Sequence, residues 1–186
     1  MSDSKTKLSG VSVALHWIVG LTMIVLVTVG VYMTDYKVYA LYPIHKSFGI
    51  LIFIVVLMRV IWRLKQGWPE AASEYKTWEQ SLSRVVHWVL IIATVVMPIS
   101  GMLMSGLGGY GLHIFGLELL AATPNPDEAG KMIPINGPLA GTSHEVHEIA
   151  GKVMFAAFLL HLAGALKHHF IDKDGTLKRM LGKDIS

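Results

Sequence analysis

The chain has 186 residues, of which 53% are hydrophobic and only 16% are charged. Its mean hydropathy of +0.52 is too high for a soluble domain of this length. Cysteine is absent, which excludes disulfides, thiolate-bound iron–sulfur clusters and covalently attached c-type haem. The formal net charge of +3 is typical of basic residues placed at membrane-helix ends, so we predict a membrane protein with no nucleic-acid partner.

Four apolar stretches are long enough to cross the hydrocarbon core, which takes about 20 residues of helix. They cover residues 11–33, 44–64, 82–105 and 146–170. We therefore predict an all-α fold, an integral membrane four-helix bundle that forms a single domain over residues 1–186. The first stretch has no small-residue cleavage site after it, so we predict a retained helix rather than a signal peptide.

The connections between these stretches differ in charge and length. The side of the bundle with both termini has twelve lysine and arginine residues, and the other side has four: Lys37, Lys46, Lys131 and Lys152. Because basic residues stay on the cytoplasmic side, both termini are predicted to be cytoplasmic. Residues 106–144 form a long outer loop, in which residues 112–120 are apolar enough for a short helix on the membrane surface.

Five of the nine histidines lie on the apolar stretches at two depths. The inner level has His16, His87 and His161, and the outer level has His45 and His147. His147 and His161 are 14 residues apart, so they share a helix face with an offset of about 21 Å. Two stacked bis-imidazole sites are typical of b-type haem, because imidazole nitrogen ligates haem iron and a bundle core can hold the macrocycle.

Each histidine also has a simpler interpretation. One inside a membrane span is a functional candidate, since an unpaired polar group there costs a few kcal/mol, but His45 and His147 lie near helix ends and could face water. His144 would replace His147 if the fourth helix began earlier. His87 could bond a haem propionate, line a substrate pocket or compete with His16. No role is assigned to His113 and His169.

Two arginines and one more histidine extend the predicted site at the inner level. Arg59 and Arg63 follow His45 by 14 and 18 residues, so they project from its face, and we predict that they neutralise the inner haem's propionates. They could equally be positive-inside anchors. His168 lies two turns beyond His161. Because imidazole exchanges protons near neutral pH, we predict that His168 donates protons to a quinone; the alternative is a favourable cation at a helix C-terminus.

Several local sequences resemble the bacterial cytochrome b-561 family. They are "ALHWIV" around His16, "PIHKSFGI" around His45, "HEVHEIAGKV" around His147, "LLHLAGALKHHF" at 159–170 and "DKDGTLKRML" at 172–181. The resemblance covers nearly the whole chain. It implies an inner-membrane cytochrome with two non-covalent b haems as cofactors, the inner one between His16 and His161 and the outer one between His45 and His147.

The resemblance also implies an oxidoreductase activity. Members of this family pass single electrons between a periplasmic reactant and membrane quinone, and one such activity is superoxide oxidation coupled to ubiquinone reduction. The outer loop carries Glu118, Asp127 and Glu128, whereas an entry site for an anion should be positive, so a different electron donor is an alternative.

Two other functions stay open. A haem-bearing membrane anchor for a larger redox enzyme would dock its partner on the long outer loop. A metal transporter would use the same histidines, but such proteins usually place carboxylates within their spans. Here no Asp or Glu lies deep in a predicted helix, so transport is a remote alternative.

Overall fold

The computed structural model describes residues 3–69, 71 and 73–185. Its long helices are α1 (Gly10–Asp35), α2 (Tyr42–Gln66), α3 (Thr77–Leu107) and α4 (Gly137–Phe170). The smaller elements are a 3-10 turn at Tyr39–Leu41, the strands β1 (Leu112–Ile114) and β2 (Leu117–Leu120), and a short helix α5 (Thr176–Met180). Within the described residues four helices are long and apolar enough to cross a membrane, which confirms the predicted membrane bundle.

The fourth helix begins at Gly137, so the predicted start at residue 146 is wrong. The side chain of Asn136 accepts a hydrogen bond from the Leu139 amide at 3.1 Å, and Pro138 lies in the first turn. An Asn cap followed by a proline is a strong helix start, but the residues after it are too polar to count toward a membrane span. His144 consequently lies inside α4.

The segment 112–120 is an antiparallel hairpin, so the predicted surface helix is wrong. Phe115 and Gly116 form its two-residue turn with φ values of 46° and 92°, and two left-handed residues give the turn that matches strand twist. The Phe115 amide donates to the Ser47 hydroxyl at 2.9 Å. This bond fastens the hairpin to the outer end of α2.

The buried core lies across all four long helices. Helix α3 packs most extensively against α4, and α1 packs against α2, whereas α4 and α1 touch much less. The core cluster consists of Val19, Met23, Leu26, Ile52, Val56, Ala93, Met97 and Met154. On α2, the core residues Ile52 and Val56 lie between His45 and Arg59. On α4, Met154 lies between His147 and His161. An apolar layer therefore separates the two histidine levels.

The N-terminal segment is tied to the inner ends of α1 and α2 through Asp3. Its carboxylate accepts hydrogen bonds from the Ser9 amide at 2.9 Å and from the Ser12 hydroxyl at 2.8 Å. Arg63 forms an ion pair with it at 3.3 Å. The N-terminal segment therefore lies against the inner ends of α1 and α2.

The C-terminal tail packs on the same segment. Arg179, which is buried, donates to the Lys5 carbonyl at 2.8 Å, and the Ile185 amide donates to the Thr6 carbonyl at 3.1 Å. Both termini consequently lie on the same side of the bundle. That this side is cytoplasmic stays a prediction.

Replacing Asp3 with asparagine is expected to destabilise the protein by about 1–3 kcal/mol near neutral pH, because bonds to a charged group are lost. Burial alone would raise the pKa of Asp3, but the hydrogen bonds from Ser9 and Ser12 and the charge of Arg63 outweigh burial and lower it. A carboxylate whose pKa is lower in the folded protein stabilises the fold at pH values above its pKa in the unfolded chain, which is about 3.9. This stabilisation is lost as the pH falls through the lower pKa of the folded protein.

Thermal unfolding in detergent measures this difference. The gap in Tm between wild type and Asp3→Asn should be largest near neutral pH and should close at acid pH. Asp127→Asn, in the exposed outer loop, is the control and should leave Tm unchanged. An equal Tm for Asp3→Asn and wild type at neutral pH would show that the network adds no stability.

Candidate functional site

Three histidines from three helices meet at the inner level. The ring centres of His16 on α1 and His161 on α4 are 6.1 Å apart, with an angle of 54° between the ring planes. His87 on α3 lies edge-on to His161 with 5.1 Å between ring centres. All three side chains are half-buried. The structure therefore brings together the residues that the sequence places at this depth.

Two histidines meet at the outer level. The ring centres of His45 on α2 and His147 on α4 are 6.4 Å apart, and the ring planes are 82° apart. His144 is exposed, although it lies in the same helix as His147. Of these two candidates on α4, His147 is therefore the one that faces His45.

The spacing within each pair suits a metal ion bound between two imidazoles. An imidazole nitrogen lies about 1.1 Å from its ring centre and about 2.0 Å from a bound metal, so two opposed ligands place their ring centres about 6.2 Å apart. The observed distances are 6.1 and 6.4 Å. The angle between ring planes is unrestricted, because each ring can turn about its metal–nitrogen bond. Both pairs thus meet the distance requirement.

Helix α3 fixes the orientation of His147. The Nδ1 atom of His147 is 2.9 Å from the Met97 carbonyl oxygen and 3.1 Å from the Ser100 hydroxyl. An Nδ1–H that donates to a backbone carbonyl leaves Nε2 free for a metal, as in most histidine-ligated metal sites. A Cβ atom at Gly101 would lie 3.1 Å from the His147 ring, so the glycine gives the ring its space.

His45 has a comparable environment against α1. A Cβ atom at Gly30 would lie 3.3 Å from Cε1 of His45. Its Nδ1 atom is buried without a hydrogen-bond partner among the described residues, and an unpaired buried nitrogen is costly unless a ligand satisfies it. The outer pair therefore has the properties of a ligand site.

The inner pair is bordered by Arg59. Its Nη2 atom donates to Nδ1 of His16 at 3.2 Å. Arg63, in contrast, donates to the Gly67 carbonyl at 2.9 Å and pairs with Asp3. Of the two predicted propionate partners, only Arg59 is in contact with a histidine of the inner pair.

The remaining histidines have separate partners. His87 Nδ1 donates to the Ser83 carbonyl at 2.6 Å. His113 lies 3.4 Å from Glu118 within the hairpin, and the ring of His169 packs on Phe170 with centres 4.7 Å apart. These side-chain partners of His113 and His169 are close neighbours in the chain.

His168 lies at the inner end of α4. Its Nδ1 atom is 2.8 Å from Asp172 and 3.3 Å from Asp174, and its ring centre is 4.5 Å from that of Tyr75. Neither carboxylate contact has the alignment of a hydrogen bond, so these are electrostatic contacts. The sequence analysis identified His168 but missed the residues around it.

Four membrane-crossing helices and two half-buried imidazole pairs define an integral membrane protein suited to hold metal-centred groups through histidine. The family model described as prokaryotic cytochrome b561 matches residues 7–183. The chain belongs to this family, as the resemblance predicted. Membership implies b-type haem and a role in membrane electron transport.

Individual relatives agree with this assignment. "Cytochrome b561 homolog 2" of Escherichia coli is 32% identical over 95% of this chain and 92% of its own length. "Probable superoxide oxidase CybB" of Yersinia pestis is 26% identical over 95% of this chain and 97% of its own length. "Cytochrome b561 homolog 1" of Escherichia coli is 23% identical over 74% and 72%, respectively.

Proposed function

We propose that this protein holds two b haems and carries electrons across a bacterial inner membrane, between an outer one-electron reactant and membrane quinone. The observation that supports this most directly is the presence of two facing imidazole pairs, 6.1 and 6.4 Å between ring centres, at two levels along α4. The donor set supports haem because four neutral imidazoles are suitable axial ligands for two haem irons.

The inner haem is assigned to His16 and His161, and the outer haem to His45 and His147. When bound, each haem supplies one-electron chemistry at its iron. Two imidazole rings, one from each of two helices, would hold each haem. The chain's own task is to orient the four rings and to keep water out of the apolar layer between the levels.

Arg59 is the residue we assign to an inner propionate. It donates to His16 Nδ1, so in this arrangement the proton of that ring is on Nε2. Ligation through Nε2 needs the proton on Nδ1 instead, and Arg59 must then turn to another acceptor. A propionate is an anion of suitable geometry for a guanidinium group, which agrees with this assignment. For Arg63, which already pairs with Asp3, the propionate role stays a prediction.

The outer reactant is proposed to be superoxide. Of the four lysines predicted on this side, Lys131 pairs with Glu128 and Lys152 pairs with Glu148. Lys46, directly after His45, instead lies over the Tyr110 ring at 5.3 Å, so a positive charge remains beside the outer pair. A local positive charge attracts a small anion, and a relative is named as a probable superoxide oxidase.

Quinone is proposed to react at the inner end, near His168. Reduction of a quinone to a quinol takes up two electrons and two protons. The electrons come from the outer reactant, with two superoxide ions giving two molecules of oxygen, and the protons come from cytoplasmic water. His168 lies about 10 Å along α4 from His161, which suits a donor at the edge of the inner haem site.

Purified, haem-loaded protein tests this function. Enzymatically generated superoxide should reduce the haem, which is followed by its absorbance spectrum. Added short-chain ubiquinone should then reoxidise the haem with formation of quinol. Superoxide dismutase, which removes the donor, should abolish both changes. Haem that dithionite reduces but quinone does not reoxidise would contradict the quinone assignment.

The same preparation addresses the alternatives. A chain purified with no haem absorbance would contradict the cytochrome assignment and leave metal transport to be tested. Haem that quinol reduces but superoxide does not would point to another outer reactant. A periplasmic subunit that co-purifies in a fixed ratio would favour the membrane anchor.

A further inference from the structure

A group of polar side chains surrounds His168 at the inner end of the bundle. Its members are Tyr75 from the α2–α3 connection, Asp172 and Asp174 from the turn after α4, and Thr176 at the start of α5. The exposed fraction of the Asp174 side chain is 7%, against 26% for Asp172. Asp174 is thus the buried carboxylate beside the proposed proton donor.

The backbone places both carboxylates on one side of the ring. Lys173, between them, has a φ of 53°, an uncommon conformation for a residue with a side chain. This left-handed residue turns the chain back, and the Asp174 amide donates to the His168 carbonyl at 3.1 Å. The two carboxylates consequently lie on the Nδ1 side of the ring.

Asp174 is itself held rigidly. Its carboxylate accepts a hydrogen bond from the Tyr75 hydroxyl at 2.5 Å and another from the Thr176 amide at 2.8 Å. Burial alone would raise the pKa of Asp174, but these hydrogen bonds outweigh burial and lower it. Burial, together with the bond to Asp174, raises the pKa of Tyr75 to about 12. Asp174 therefore stays negative and Tyr75 stays neutral throughout the physiological range.

Asp172 is engaged differently. Lys167 donates to its two oxygens at 3.0 and 2.8 Å, and this lysine also pairs with Glu79 on α3 at 3.1 Å. The hydrogen bond from Lys167 is the main cause that lowers the pKa of Asp172. Asp172 thus has a lysine partner, whereas the Tyr75 and Thr176 groups that donate to Asp174 are neutral.

We propose that Asp174 and Tyr75 are positioning residues for proton delivery to quinone: Asp174 orients the His168 ring through its contact with Nδ1, and Tyr75 holds Asp174 in place. The inference rests on the proposed function of this site. A carboxylate that is itself held in place fixes the orientation of the imidazole beside it, as the carboxylate partner of a catalytic histidine does. Each proton that His168 passes to quinone is replaced from cytoplasmic water along the exposed Asp172 side.

Rapid mixing of dithionite-reduced, haem-loaded protein with short-chain ubiquinone tests the proposal. Asp174→Asn should slow haem reoxidation by quinone about tenfold, because the proton donor is no longer held in place. Asp174→Glu should restore the wild-type rate in part, and Tyr75→Phe should slow the reaction less than Asp174→Asn does.

Ferricyanide provides the comparison, because it oxidises haem without taking up a proton. The rate with ferricyanide should be equal in wild type, Asp174→Asn and Tyr75→Phe, whereas a merely structural role would slow oxidation by both reagents. Asp127→Asn, in the outer loop, is the charge-matched control. An unchanged rate with quinone in Asp174→Asn would contradict this inference alone. A wild type that ferricyanide oxidises but quinone does not would contradict the proposed function and this inference with it.

Discussion

His161→Ala is expected to reduce the haem content from about two per chain to about one, because the inner iron loses one of its two axial ligands. His16→Ala should remove the same haem, since the two rings face each other at 6.1 Å. Pyridine haemochrome analysis gives the haem per chain. Redox titration identifies which of the two centres is lost.

His87→Ala is the matched control, because its ring lies only 5.1 Å from that of His161. It should retain both haems, which would exclude His87 as an axial ligand. Loss of a haem in His87→Ala but not in His16→Ala would assign the inner ligand to α3 instead of α1. Full haem content in His161→Ala would contradict the inner site altogether.

Gly101→Val is expected to remove the outer haem while the inner one stays bound. Even the first side-chain carbon would lie 3.1 Å from the His147 ring, and the larger valine must push the ring away from the Met97 carbonyl. Losing the partner that orients a histidine ligand weakens metal binding about 10- to 100-fold. Haem content and the redox titration again report the result.

Gly141→Val separates this effect from a general intolerance of valine. Gly141 also lies in a helix at the outer end, but nothing lies within 4 Å of a Cβ placed there. This variant should keep both haems. If Gly101→Val and Gly141→Val lost equal amounts of haem, the effect of valine at position 101 would not come from the loss of space beside His147.

The apolar part of the fold was predictable, because length and hydrophobicity decide which segments cross a membrane. The errors concern polar segments outside the bilayer. The start of α4 was missed because the cap at Asn136 lies ten residues before the predicted start at residue 146, in a segment too polar to count toward a membrane span. The hairpin was missed because composition alone does not distinguish a surface helix from two short strands with a Phe-Gly turn.

The histidine levels were predictable because depth along a helix follows from residue count. Their supporting contacts were not. The Met97 carbonyl and the glycines at positions 30 and 101 touch histidines on other helices, and such contacts depend on how helices pack. The proline and glycine in "PISG" at 98–101 were the available signal for a special feature in α3. Asp3 and Tyr75 gave no comparable signal, because they lie in short polar connections.

The apolar layer between the two histidine levels has a consequence for energy conversion. Its core cluster consists of aliphatic and thioether side chains, none of which can carry a proton, and it lies between two histidines of α4 that are roughly 21 Å apart. An electron that crosses it inward moves unaccompanied, while its proton is taken up on the inner side. Turnover in the proposed direction is then electrogenic, and it works against an inside-negative membrane potential at about 2.3 kcal/mol per charge for each 100 mV. Dissipating that potential should accelerate quinone reduction in intact vesicles.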